Sequence, residues 1–168
     1  DNSSLPIGVI EYEISNPSNH LLEATFSFNA KNFIDPSGKI KAIAQGFCLV
    51  PEKSGNDSGM AIYVDDSQAK VDYCWFQGDW FDAQSVAWEH VSSDQIITNN
   101  AIDGVSPGAS IYVPMKLNPG EHKTVKLNFI WYFPHSDLSR GIANVTGNAF
   151  TTGPSTGTEM HQNTVSGF

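Results

Sequence analysis

Apolar and polar residues alternate with a period of two in three stretches of the chain, at residues 10–14, 22–28 and 125–133. Successive side chains of a strand point to opposite faces of its sheet, so this pattern predicts strands with one face in a core. Shorter apolar runs indicate further strands at 43–50, 60–64, 70–76 and 109–117. The side chains that we expect in a shared core are those of Phe26, Phe28, Leu127, Phe129 and Trp131.

Turn-forming sequences separate these stretches, with Asn-Pro at 16–17, Asp-Pro at 35–36 and Asn-Pro-Gly at 118–120. Pro114 suggests an edge position or a bulge, because proline has no N–H to donate to a neighbouring strand. Apolar residues do not recur every 3.6 positions, and residues 80–91 are expected to hold one helical turn at most. Many short strands joined by such turns predict an all-β fold, an antiparallel sandwich of two sheets.

The chain changes character at residue 136, after which Gly, Ser, Thr and Asn are frequent and apolar residues are few. This composition favours a long loop or linker. We therefore expect a β-sandwich domain at residues 1–135 and a loop-rich tail at 136–168. A chain of 168 residues is long enough to bury a sizeable core without a metal or a disulfide.

Nine basic and eighteen acidic residues give the chain a net charge of −9. A field of that sign repels phosphate backbones and anionic lipid headgroups, so we expect neither nucleic acid nor a membrane surface as a partner. Apolar runs stay well short of the ~18 residues that a membrane span needs. A neutral ligand such as a sugar meets no electrostatic penalty, and carbohydrate stays open as a partner.

The two cysteines, Cys48 and Cys74, each lie in an apolar run. We interpret them as two buried free thiols, with a disulfide between neighbouring strands as the alternative. Two cysteines without histidines at ligand spacing do not make a zinc site, so we expect no metal and no cofactor.

Three of the four tryptophans, Trp75, Trp80 and Trp88, lie in one short stretch together with several carboxylates. An exposed indole can stack on the apolar face of a sugar while nearby polar groups bind its hydroxyls. Trp80, with Asp79 and Asp82, is therefore the candidate ligand-binding set. The simpler interpretation, which we prefer, is that Trp75 and Trp88 fill the core.

The acidic residues of this stretch do not define a catalytic site. A glycosidase needs two carboxyl groups at a fixed separation, and spacing along a loop cannot establish one between Asp79, Asp82, Glu89 and Asp94. The sequence also lacks a G-x-S-x-G nucleophile motif and an H-E-x-x-H zinc motif. We therefore assign no catalytic residue to this chain.

Seven short segments carry a resemblance to a known family: 3–12 (SSLPIGVIEY), 15–17 (SNP), 26–28 (FSF), 32–34 (NFI), 107–109 (PGA), 117–121 (LNPGE) and 129–134 (FIWYFP). In order and spacing they resemble the amino-terminal domain of glycoside hydrolase family 116. That family includes bacterial β-glucosidases and the non-lysosomal glucosylceramidase. The related family 52 β-xylosidases share its architecture and are a close alternative.

The resemblance implies a β-sandwich that packs on a carboxy-terminal (α/α)₆ barrel, where a retaining β-glycosidase carries its nucleophile and acid/base carboxylates. The start at Asp1 and the stop at Phe168 agree with a domain taken from a longer chain. We expect this chain to be inactive alone and to support that barrel. The alternative is a stand-alone carbohydrate-binding or adhesion sandwich. A coplanar tryptophan platform would favour binding, and a broad apolar surface would favour the supporting role.

Overall fold

The alternating stretches form strands in the computed structural model, which describes residues 5–52 and 58–134. Eight strands and one helix lie in the described residues, within the first of two units, Asp1–Tyr132. In chain order they are β1 (Ile7–Ser15), β2 (Leu22–Lys31), β3 (Lys39–Ile43), β4 (Gly46–Val50), β5 (Gly59–Val64), β6 (Lys70–Asp72), α1 (Ala83–Ser92), β7 (Gly108–Leu117) and β8 (His122–Tyr132). The predicted tail at 136–168 lies outside the described residues, and the boundary at residue 135 stays a prediction.

The strands form two antiparallel sheets, which confirms the predicted all-β sandwich. The larger sheet has the order β1-β8-β5-β4-β3, and the smaller has the order β2-β7-β6. The long alternating strands pair over their full lengths: Ile7 lies opposite Ile130 in the larger sheet, and Leu22 lies opposite Leu117 in the smaller. The run at 43–50 was predicted as one strand, but a turn at residues 44–45 divides it, so that Ile43 ends β3 and β4 begins at Gly46.

The hydrophobic core lies between the two sheets. Its fully buried side chains include Phe47, Ile62 and Leu127 from the larger sheet and Ile111, Val113 and Leu117 from the smaller. The predicted core residues Phe26, Phe28 and Phe129 are half-buried and pack against this cluster. The rings of Phe28 and Phe129 meet edge to face across the sheets, with their centroids 5.7 Å apart.

Trp131 is not in the core, contrary to the prediction, since 38% of the residue is exposed. It lies one position before the end of β8, at the rim of the sandwich. Its ring turns towards the edge strand β1, where a Cβ on Gly8 would lie 3.6 Å from Cζ3. Alternation places Trp131 on the same face of β8 as the core residues. Near the end of the strand, however, the other sheet no longer covers that face.

Helix α1 has ten residues, so the expectation of one helical turn at most is wrong. Of its residues, Ala87 alone is buried, and the helix contacts β2. A helix that buries so little needs no long apolar stripe, and the 3.6-residue period is therefore faint. None of the helices in the described residues is long and apolar enough to cross a membrane.

Two smaller expectations are also settled. Cys48 and Cys74 are both free, as predicted, but each is half-buried rather than buried, and the alternative disulfide is not formed. Burial raises the pKa of the Cys48 thiol.

Pro114 lies in β7, the middle strand of its sheet, but β6 pairs with β7 no further than Tyr112. Pro114 thus lies where β7 has lost its neighbour on one side.

Candidate functional site

The stretch that the sequence singled out belongs to a long connection, residues 73–107, between β6 and β7. Its first part is held by Asp72, which is buried on the smaller sheet. The Asp72 carboxylate accepts the backbone N–H groups of Cys74 and Asn99, each at 3.2 Å. Burial raises the pKa of Asp72, and these hydrogen bonds oppose that rise. The carboxylate therefore joins two parts of the connection, and it is not part of a solvent-facing site.

Trp75 anchors the connection to the sheet. It is 3% exposed, its ring lies against Gly108, and its indole N–H donates to Ser110 Oγ at 2.8 Å. The Ser110 hydroxyl in turn donates to Asn29 Oδ1 at 2.6 Å. The indole N–H and the Ser110 hydroxyl thus both have hydrogen-bond partners, as burial of the indole requires. Trp75 is therefore buried, as predicted, but it packs outside the cluster of buried residues between the two sheets.

The loop that follows Trp75 is fixed by local contacts. The side-chain amide of Gln77 donates to the Val105 carbonyl, which ties the loop to the residues that lead into β7. The ring of Phe76 lies over Gly78, where a Cβ would come 2.5 Å from Cε1 of that ring. A larger residue at Gly78 would displace the exposed ring of Phe76, and glycine lets the ring lie in this position.

Three large aromatic side chains of this segment point into solvent. Trp80 is 79% exposed, Phe81 is 66% exposed and Trp88 is 69% exposed. The expectation that Trp88 fills the core is wrong, because α1 turns Ala87 towards the sheet and leaves Trp88 on its outer face. We refer to Trp80, Phe81 and Trp88 as the aromatic surface. In the described residues the close ring pairs are Tyr12–Phe26 and Phe28–Phe129, so Trp80 does not form a stacked platform with a second ring.

The two carboxylates of the candidate set differ in what they do. Asp82 is the N-cap of α1: its Oδ2 accepts the Ser85 N–H at 2.9 Å, and its Oδ1 lies 3.6 Å from Lys31 Nζ. The hydrogen bond from the Ser85 backbone lowers the pKa of Asp82, and Lys31 adds to this effect. Asp79 is exposed beside Trp80. Capping the helix is thus a sufficient structural role for Asp82, and a bound ligand is not needed to explain this residue.

Among the acids that the sequence analysis considered, Asp82 and Asp94 are too far apart to form a hydrolytic pair. Asp82 begins α1 and Asp94 follows its end, so about 18 Å of helix separates them, whereas a glycosidase pair lies about 5–9.5 Å apart. Groups of three or more potential metal ligands are absent from residues 5–52 and 58–134.

These elements and side chains define a β-sandwich domain with exposed aromatic rings. Comparison with known families identifies the family of this domain. Residues 1–163 match the family described as "beta-glucosidase 2, glycosyl-hydrolase family 116 N-term". The chain therefore belongs to the N-terminal domains of glycoside hydrolase family 116. A search of curated proteins finds no match to the chain. The comparisons give no support to a stand-alone carbohydrate-binding or adhesion module.

Proposed function

We propose that this chain is a non-catalytic domain that supports a C-terminal (α/α)₆ catalytic domain in the same β-glucosidase-like polypeptide. In this proposal residues 1–135 form the supporting sandwich, and residues 136–168 form the linker towards the catalytic domain. The observation that carries the proposal is the aromatic surface: three large rings exposed on one short, well-anchored segment.

The size of the aromatic surface agrees with a contact between domains. An aromatic side chain carries 150–250 Å² of burial area, so three rings exposed by two-thirds or more leave about 400 Å² in contact with water. Interfaces between domains of one chain bury ~600–1,500 Å² in total, or about 300–750 Å² on each side. The three rings together supply an area in this range.

The rigidity of the segment favours the same role. Binding costs conformational entropy for every side chain that must be ordered, and aromatic rings held in advance reduce that cost. Trp75, Gln77 and Asp82 hold the segment at three points, through Ser110, Val105 and Ser85. Trp80 then acts as the central anchor of the contact, with Asp79 in its polar rim, as in protein interfaces where a few aromatic residues dominate the affinity.

The experiment compares variants of the intact glycosidase that contains this domain. Trp80→Ser combined with Phe81→Ser removes two exposed rings, so it should leave the melting temperature of the 168-residue chain unchanged. In the intact enzyme the same pair should lower the temperature of irreversible inactivation by several degrees. Leu21→Ser, at an exposed apolar residue between β1 and β2, is the matched control and should have no effect.

Two results would count against the proposal. The first is an intact glycosidase that is as stable with the double substitution as with Leu21→Ser. The second is oligosaccharide binding by the 168-residue chain that is lost in the double variant, because the rings would then form a carbohydrate site.

A further inference from the structure

A polar cleft of about 590 Å³ lies at the opposite end of α1 from the N-cap Asp82. Its lining comes from β2, β7 and β8, together with Gln68 and Asp94. β6 pairs only with residues 110–112 of β7, so β7 has no neighbour on this side from residue 113 onwards. Pro114 lies at this gap and has no N–H to leave unpaired there. The cleft is therefore a consequence of the shortness of β6.

Two ion pairs include the lysines that line the cleft. Lys116 Nζ lies 2.6 Å from Glu23 Oε1, and Lys123 Nζ lies 2.7 Å from Asp66 Oδ2. Each lysine thus has its own carboxylate, and neither is free to hold an anion. The volume is within the ~300–1,000 Å³ that is usual for small-ligand sites. A neutral ligand fits such a lining better than a charged one.

Asp94 is the residue of the cleft that the fold itself does not favour. It follows α1 with φ = 57°, and its N–H and that of Gln95 donate to Val91 O and His90 O. This is a Schellman ending, in which the left-handed position prefers glycine. A carboxylate there also faces the negative end of the helix dipole. The left-handed conformation costs aspartate more than glycine, although less than most other residues, and the helix dipole opposes its charge at this position of the cleft.

We propose that the polar cleft binds a neutral, hydroxyl-rich ligand, a β-linked gluco-oligosaccharide, with Asp94 accepting hydrogen bonds from two adjacent hydroxyl groups. Gln68 and Thr25, which are exposed and line the same cleft, supply an amide and a hydroxyl, and Pro114 supplies an apolar floor for the C–H face of a sugar ring. The choice of sugar rests on the proposed function, while the site rests on the cleft and on Asp94. It is separate from the aromatic surface.

The test is a titration of the ¹⁵N-labelled 168-residue chain with cellotetraose, followed by amide shifts. We expect saturable shifts at Thr25, Gln68 and Asp94. Asp94→Gly should weaken binding by about tenfold or more, because it removes the acceptor. The same change should leave the melting temperature unchanged or raise it by up to about 4 °C, because it relieves the backbone and the helix dipole.

Gln45→Gly is the matched control. Gln45 is the other non-glycine residue with positive φ in the described part of the chain, at 51°, and it lies in the turn between β3 and β4, away from the cleft. It should change the melting temperature in the same direction as Asp94→Gly and leave the affinity within about twofold. Asp94→Asn, which keeps the shape of the side chain, should lose affinity as Asp94→Gly does.

The proposal is overturned if cellotetraose at about 10 mM causes no saturable shifts, since a site with a 1 mM dissociation constant would then be nearly full. It is also overturned if Asp94→Gly and Gln45→Gly bind equally well, or if Trp80→Ser, rather than Asp94→Gly, removes binding. A negative titration would overturn the proposed sugar site but not the proposed supporting function. A negative stability test on the intact glycosidase would overturn the supporting function but not the titration result.

Discussion

Gly108→Ala is the substitution that should most sharply disturb the anchor of the aromatic surface. A Cβ on Gly108 would lie 2.6 Å from Cζ3 and 2.7 Å from Cδ2 of Trp75. Carbon atoms in contact are normally 3.5–4.0 Å apart, so the indole must retreat by about 1 Å. Overpacking of this kind costs about 1–3 kcal/mol, and loss of the indole hydrogen bond to Ser110 adds about 1 kcal/mol. The lower chain entropy of alanine offsets up to about 1 kcal/mol, so we expect a net loss of about 2–3 kcal/mol.

Urea denaturation of the 168-residue chain measures this loss, and Gly104→Ala is its control. The nearest heavy atom to a Cβ on Gly104 is Ile102 Cδ1 at 3.8 Å, an ordinary contact. Gly104→Ala should therefore change the free energy of unfolding by no more than about 0.5 kcal/mol. Equal stability of the two variants would refute the argument that Trp75 is clamped between Gly108 and Ser110. A displaced Trp75 should also weaken coupling to the catalytic domain in the intact glycosidase.

Three further predictions test other parts of the account. Phe47→Ala should cost about 3–5 kcal/mol in urea denaturation, because Phe47 is fully buried, whereas Trp131→Ala at the rim should cost clearly less. Asp82→Ala should lower the melting temperature above pH ~4, the ordinary range of an aspartate. Because the folded pKa of Asp82 is lowered, the difference from the unsubstituted chain should disappear as the pH falls through that folded pKa, as melting curves at a series of pH values will show. Finally, the 168-residue chain should not hydrolyse a chromogenic aryl β-glucoside, and turnover abolished by Glu89→Gln would contradict the assignment of catalysis to another domain.

The long strands were predictable because their chemistry is local. Covered and exposed side chains alternate in the first part of β2, residues 22–26, and in the first part of β8, residues 122–127, and the sequence records that alternation directly. Helix α1 was underestimated for the opposite reason. Its stability comes from the Asp82 cap and from contact with β2 more than from an apolar stripe, and a cap is a single residue among many similar ones.

The fate of individual tryptophans was not predictable in the same way. Trp75 and Trp88 lie in the same short stretch of the sequence, yet the first is buried and the second is exposed. The burial of Trp75 depends on the open surface of Gly108 and the hydroxyl of Ser110, more than 30 residues further along the chain. The importance of Asp72 likewise depends on Asn99, which only the folded connection brings close. The pattern of apolar and polar residues within one segment carries no information about partners so far away in the sequence.

Hydroxyl-radical footprinting tests the central claim most directly, because it reports how much of each aromatic side chain water can reach. In the 168-residue chain, Trp80, Phe81 and Trp88 should all be strongly oxidised, and Tyr12, which is 41% exposed, serves as the internal reference. In the intact glycosidase we predict that oxidation of the aromatic surface falls severalfold while oxidation of Tyr12 is unchanged. Equal oxidation of the aromatic surface in the chain and in the intact enzyme would contradict its role as the contact with the catalytic domain.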